Sequence, residues 1–343
     1  MLTWRDRLRA DPLPWLLEPD EAQPAVRYFA LRHLLGRREE EEDIREARAA
    51  IMRTGPVPAI LAAQDPAGYW VKPGPGYGPK YQGTIWQIAF LAQLGADPAD
   101  RRVRAGCEYV LSHTIASHGG FSMTAVPSAF IHCVAGNLGA ALIDLDWLDD
   151  GRLQAALEWQ ARTITGEGVA GRESRETPRR YYASCTCGPL FACSANAGLP
   201  CAWGAVKAVL ALSKVPPARR TTIMQAAIDQ GSEFLLGRDP ALADYPFGYG
   251  NRPSSSWFKF GYPIGYVTDV LQNLEVLAAL GLAQDPRLAR ARELVEGKQG
   301  DDGRWKMEYT YNGKTWVDIE RKGAPSKWVT LRALRVLKAA CGE

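Results

Sequence analysis

No apolar run in this 343-residue chain reaches the roughly 20 residues needed to cross a bilayer. The opening stretch from Met1 to Arg9 lacks the apolar core of a secretory leader. The sequence therefore predicts a cytoplasmic protein without a transmembrane segment. Charge of one sign is also lacking: 41 Lys and Arg stand against 38 Asp and Glu, a net of +3, with no basic block. Nucleic acid is accordingly excluded as an expected partner. Histidine is scarce, at four residues. The seven cysteines are odd in number, and four crowd between Cys185 and Cys201, which excludes a secreted disulfide scaffold and leaves free thiols or metal ligands.

What is present is repetition. The pattern Gln, three residues, Gly, one residue, Trp runs from Gln64 to Trp70 and again from Gln299 to Trp305, with a degenerate relative at Ser117–Phe121. It reads as a helix end: Gln bonds open backbone groups, Gly makes the turn, and the aromatic packs back over the junction. A longer unit recurs as well. An apolar helix meets Leu-Gly or similar, then a short turn, then an amphipathic helix rich in Arg and Glu. The pairs are 26–36 with 43–52, 84–95 with 103–111, 133–145 with 153–161, 201–212 with 223–236, and 268–281 with 288–295; a sixth first helix, 328–340, stands alone. An all-round apolar helix must be buried and an amphipathic one has a wet side. The expected fold is one all-α domain over 1–343, an α/α toroid of about six hairpins with inner and outer rings, an open solenoid being the alternative.

The links from inner to outer helix are short. The returns, 68–83, 165–200, 237–266 and 303–327, are long and carry the aromatics, so the expected site lies at the N-terminal ends of the inner helices. Tyr81, Trp86, Trp203, Trp257, Phe260, Tyr266, Trp316 and Trp328 are the expected ligand-binding rings; closure of the barrel by a hydrophobic plug is the alternative. The Gly- and Pro-rich stretch 72–80 lacks the strand-then-helix context of a phosphate cradle. Aligned by their C-terminal ends, the inner helices put Thr84, Cys133, Cys201 and Asp269 at similar depth. Zinc is one expectation there, with His132, Cys133, Cys193 and Cys201 as ligands and Asp269 in reserve; buried unliganded thiols are the other. Asp269 reads equally as a general acid and as a helix cap. His33, His113 and His118 read as structural or exposed. Glu275, Glu308, Asp318 and Glu320 are further carboxylates without assigned places.

The Gln-xxx-Gly-x-Trp pattern resembles the repeat of squalene and oxidosqualene cyclases. The helix-pair layout resembles those enzymes and protein prenyltransferase β-subunits. The segment Pro325–Leu334 is similar to the end of bacterial proteins with prenyltransferase/squalene oxidase repeats. This resemblance to the terpenoid cyclase and prenyltransferase superfamily implies an enzyme with an apolar, isoprenoid-like ligand in the central cavity, and a zinc near its mouth as in prenyltransferases. The acidic motif of class II cyclases is represented only by Asp144, Asp146, Asp149 and Asp150, at the far end of an inner helix, where they read as a solvated turn. A recognition toroid without catalysis and a carbohydrate-active toroid are the competing functions.

Overall fold

A computed structural model of the chain describes residues 3–169, 187–250 and 253–342. The α-helices, in chain order, are α1 (Leu13–Leu17), α2 (Pro24–His33), α3 (Glu42–Ile51), α4 (Pro56–Ala62), α5 (Thr84–Gln93), α6 (Arg101–His113), α7 (His132–Asp144), α8 (Gly151–Thr165), α9 (Ala202–Ser213), α10 (Thr222–Leu236), α11 (Val270–Ala279), α12 (Ala289–Gly297) and α13 (Lys327–Ala340). Only isolated β-bridges occur among the described residues. No helix there is long and apolar enough to cross a membrane.

Six of these helices form the inner ring of a toroid. Packing runs α5 to α7 to α9 to α11 to α13 to α2. The circle closes where Phe29 of α2 lies under the end of α5, 3.1 Å from where a Cβ at Gly95 would stand. The inner helices are buried nearly all round: every residue of α5 from Thr84 to Ala92 is buried, as is every residue of α7 from His132 to Leu142. Helices α3, α6, α8, α10 and α12 each pack on the inner helix before them. They bury one face only, Val103, Gly106, Cys107 and Val110 in α6 for example. Asp100, Asp150 and Thr221 cap α6, α8 and α10, each accepting a backbone N–H of the first turn.

The lone sixth inner helix has a partner after all. The N-terminal segment, with buried Trp4, Leu13 and Leu16, packs on α13 and occupies the sixth outer position. Both full copies of the glutamine–glycine–tryptophan pattern make this visible, because they form the same bonds. Gln64 and Gln299 each donate to the glycine carbonyl four residues on, at 3.2 and 3.0 Å. Trp70 and Trp305 donate through Nε1 to the carbonyl ten residues back. Their backbone N–H groups reach Thr84 and Thr330 Oγ1 on the next inner helix. The one difference is the outer neighbour: Gln64 donates to Arg102 O of α6, whereas Gln299 accepts from Arg9 N of the N-terminal segment.

The axis of the ring is not empty. Residues 260–267 run through it, held from three sides. Gln93, at the end of α5, accepts from Ile264 N at 2.7 Å and donates to Ile264 O at 2.9 Å. Asn137 of α7 donates to Gly265 O at 2.8 Å, and Arg332 of α13 donates to Gly261 O at 2.6 Å. Tyr262 stacks on Trp328 at 4.0 Å and donates to Gln93 O. A backbone buried this deeply must find partners for its polar groups, and three inner helices supply them.

Candidate functional site

Three long loops and α5 bring their aromatics together at the N-terminal end of the ring. Tyr81 lies 4.3 Å from Tyr311 and 5.0 Å from Trp86; Tyr77 and Tyr266 lie 5.8 and 6.0 Å from Trp86. Tyr309 meets Tyr311 edge-on at 5.3 Å. Trp86 is fixed by its Nε1 bond to Tyr77 O, and Gln87 donates to Tyr81 O. The Lys80 ammonium stands over the faces of Tyr266 and Tyr77, 4.9 and 5.9 Å from their centroids.

Beneath Tyr266 is a polar group of a different kind. The Tyr266 phenol neighbours Tyr77 and the Cys133 thiol on α7, both of which act on its ionisation. Next to Cys133 lies Lys207, fully buried on α9. Its ammonium bonds Thr268 Oγ1, which leans toward Trp203 O at 3.5 Å. Burial pulls the Lys207 pKa down to about 8, the nearby Cys133, Cys201 and Asp269 only partly opposing this. Burial also pushes the Cys133 thiol up to about 12 and raises the Tyr266 phenol. Burial thus disfavours the charged form of all three groups, and Lys207 holds an amine that can exchange a proton near pH 8.

Of the expected ligand-binding rings, Tyr81, Trp86 and Tyr266 meet here. The others do not join them. Trp257 is buried against Tyr245 and donates to Pro240 O. Phe260 packs under Lys298, with its N–H on Glu308. Trp328 is the stacking partner of Tyr262 and donates to Gln23. Trp316 is 42% exposed and donates to Gln82 O. Trp203 contributes its carbonyl to Thr268. An open central chamber is corrected too: backbone 260–267 runs through it, bonded to Gln93, Asn137 and Arg332. A cavity of about 250 Å³ lies instead at the C-terminal ends of α2, α11 and α13, lined by His33, Glu275, Arg335 and Lys338 among others.

Asp269 takes the cap reading. Its Oδ1 accepts Gln272 N at 2.7 Å and Arg332 at 3.0 Å; its Oδ2 accepts Gly261 N and Arg332, both at 3.1 Å. Four donors leave no lone pair aimed at a ligand, so the general-acid expectation has no geometric basis. Glu275 is likewise taken by Arg332 at 2.8 Å, Glu308 by Lys298, and Glu320 by Ser326 and Lys327 N. Asp318 accepts from Gly313 N. The acidic turn is structural: Asp144 pairs with Lys214, Asp149 with Arg219, and Asp150 caps α8.

The zinc set is not assembled. Among the described residues no group of three or more His, Cys, Asp or Glu side chains is placed to hold a metal. His132 Nε2 lies 2.9 Å from Gly188 O and must carry the proton, while its buried Nδ1 has no partner. Cys133 is buried on α7, and Cys201 stands at the N-terminal cap of α9. Cys185 lies outside the described residues. His113 and His118 stack on Tyr109 and Trp159.

Sequence reasoning missed Lys207, Gln93 and Asn137. The signal was available for the first: Lys207 is the only charged residue of α9, in Ala-Trp-Gly-Ala-Val-Lys-Ala-Val-Leu-Ala-Leu-Ser. A lysine inside an all-round apolar helix must be either neutral or paired.

No family model and no curated relative matches the chain. Among solved structures it is similar to the type II terpene cyclase MstE from Scytonema. A variant of that enzyme bound to geranylgeranyl dihydroxybenzoate is 16% identical, with 94% of this chain and 88% of that one covered and a TM-score of 0.45. The apo form gives 17%, 94%, 89% and 0.44. A protein from Actinoplanes gives 15% identity, 85% and 99% coverage, and a TM-score of 0.30.

Proposed function

We propose that this chain is a terpenoid cyclase-like enzyme that takes an apolar, isoprenoid-like ligand at the aromatic end of the ring. One observation carries the reading. Rings from three loops and an inner helix converge at the N-terminal end of the ring, and the Cys133 thiol acts on both Tyr266 of that cluster and the buried Lys207 of α9. Aromatic faces stabilise developing positive charge in an apolar ligand without supplying a nucleophile. Lys207, with a pKa near 8, is suited to receive the proton such a cation loses, handed over through Thr268.

The ligand sits against Tyr81, Trp86 and Tyr266 and reaches inward only as far as residues 260–267 permit. The test is incubation with geranylgeranyl- and farnesyl-bearing compounds, with product analysis by mass spectrometry and binding read from tryptophan quenching. The expected result is saturable binding that weakens in Tyr266→Phe, and turnover that is lost in Lys207→Met while binding persists. Saturable binding by wild type with no conversion, and no change in Tyr266→Phe, would favour a recognition toroid instead. Absence of any binding would reject the site.

A further inference from the structure

The hairpin 187–201 roofs the starts of α7 and α9 and carries three cysteines that the proposed reaction does not use. Cys187 and Cys193 lie directly opposite each other in an antiparallel bridge. The bond from Gly188 N to Ala192 O flanks the pair. In that arrangement opposing Cα atoms stand about 4.5 Å apart, inside the roughly 4.4–6.8 Å span that a disulfide needs. Cys187 and Cys201 are both near enough to the Cys193 thiol to act on its ionisation. Cys193 is partly exposed, whereas Cys187 is buried. Cys201, at the N-terminal cap of α9, is not paired across the bridge with either of them.

We propose that Cys187 and Cys193 are an oxidation site, closed to a disulfide by a peroxide-class oxidant. The Cys193 thiol gives up its proton and attacks hydrogen peroxide as the thiolate, cleaving the O–O bond; the departing hydroxide takes up that proton, leaving a sulfenic acid and water. The Cys187 sulfur then displaces the hydroxyl as a second water, its own proton completing the balance. Two thiols lose two electrons and the peroxide is reduced to two waters. The bond ties the two arms of the roof together. The same hairpin supplies the Gly188 carbonyl to His132 and packs Phe191 on that ring, so closure stiffens the cover of the α7 and α9 starts.

Peptide mapping of the full chain tests this. Reduced protein is treated with hydrogen peroxide, unfolded, alkylated and digested. The expected result is one intrachain cross-link between Cys187 and Cys193, formed while buried Cys107 still alkylates fully. Cys201→Ser keeps that link and Cys193→Ser abolishes it, with circular dichroism checking that each variant is folded. If Cys193→Ser does not fold, the wild-type map and Cys201→Ser decide. Cys193 recovered as sulfinic acid with Cys187 still free would overturn the proposal. So would a link that appears only between chains, or one joining Cys193 to Cys201 instead.

Discussion

The two ends of the ring differ in a way their link lengths do not suggest. At the N-terminal end of the inner helices, long loops hold the aromatics and the thiol hairpin, yet residues 260–267 turn inward and occupy the axis. At the opposite end the links are short and the 250 Å³ cavity lies open among His33, Glu275, Arg335 and Lys338. Loop length measured how much chain was available, and the chain used it to fill its own centre. The charged groups at the far end follow a simpler rule. Helix C-termini favour cations, and Lys338 sits on the His33 and Leu34 carbonyls that end α2.

Breaking the packed axis tests that contrast. The largest effect is expected from Asp269→Ala, which strands the buried Arg332 guanidinium with Glu275 as its remaining carboxylate. Removing one partner of a buried pair costs about 3–5 kcal/mol, read as a fall in the urea midpoint. A variant within about 0.5 kcal/mol of wild type would mean that the axis is not held from α13.

Lys207→Met is next and opposite in sign. The folded chain lowers the Lys207 pKa from 10.5 to about 8, so below pH 8 a buried ammonium costs up to about 3 kcal/mol. Between pH 8 and 10.5 the unfolded chain binds more protons, and wild-type stability therefore rises with pH across that window. The variant should be more stable than wild type near neutral pH and lack the rise. Parallel stability curves for the two proteins from about pH 7 to 11 would remove Lys207 as a strained amine.

Gln93→Ala gives the smallest of the three. It leaves Ile264 N and O without partners, at about 1–3 kcal/mol. Its sharper readout is local: hydrogen exchange at Ile264 should accelerate while the α7–α9 seam stays protected. Unchanged exchange at Ile264 would place the hold on the axis elsewhere, with Asn137 and Arg332.

Much of the fold was legible because it depends on periodicity. All-round apolar segments such as 85–92 and one-sided segments such as 43–52 fixed which helices lie inside and which outside. Which rings meet was not legible. Tyr81 and Tyr266 lie in long loops and Trp86 on α5, and these meet, whereas Trp257 and Phe260 from the loops and Trp328 on α13 pack elsewhere. Composition cannot separate a ring that faces a ligand from one that faces another ring. Asp269 followed the same pattern: a carboxylate at a helix start can cap, pair or donate a proton, and Arg332, 63 residues away, decided among these.

By itself, the order of apolar and charged residues determined a helical ring, its inner and outer layers, and the turn chemistry of Gln64–Trp70 and Gln299–Trp305. Tertiary structure alone decided that the N-terminal segment serves as the sixth outer element, that residues 260–267 occupy the axis, and that Lys207 lies beside Cys133. The physical reason is range. Helix periodicity and capping are settled within a few residues, whereas burial of a loop in a ring's centre requires Gln93, Asn137 and Arg332 to arrive from three distant helices and satisfy its backbone together.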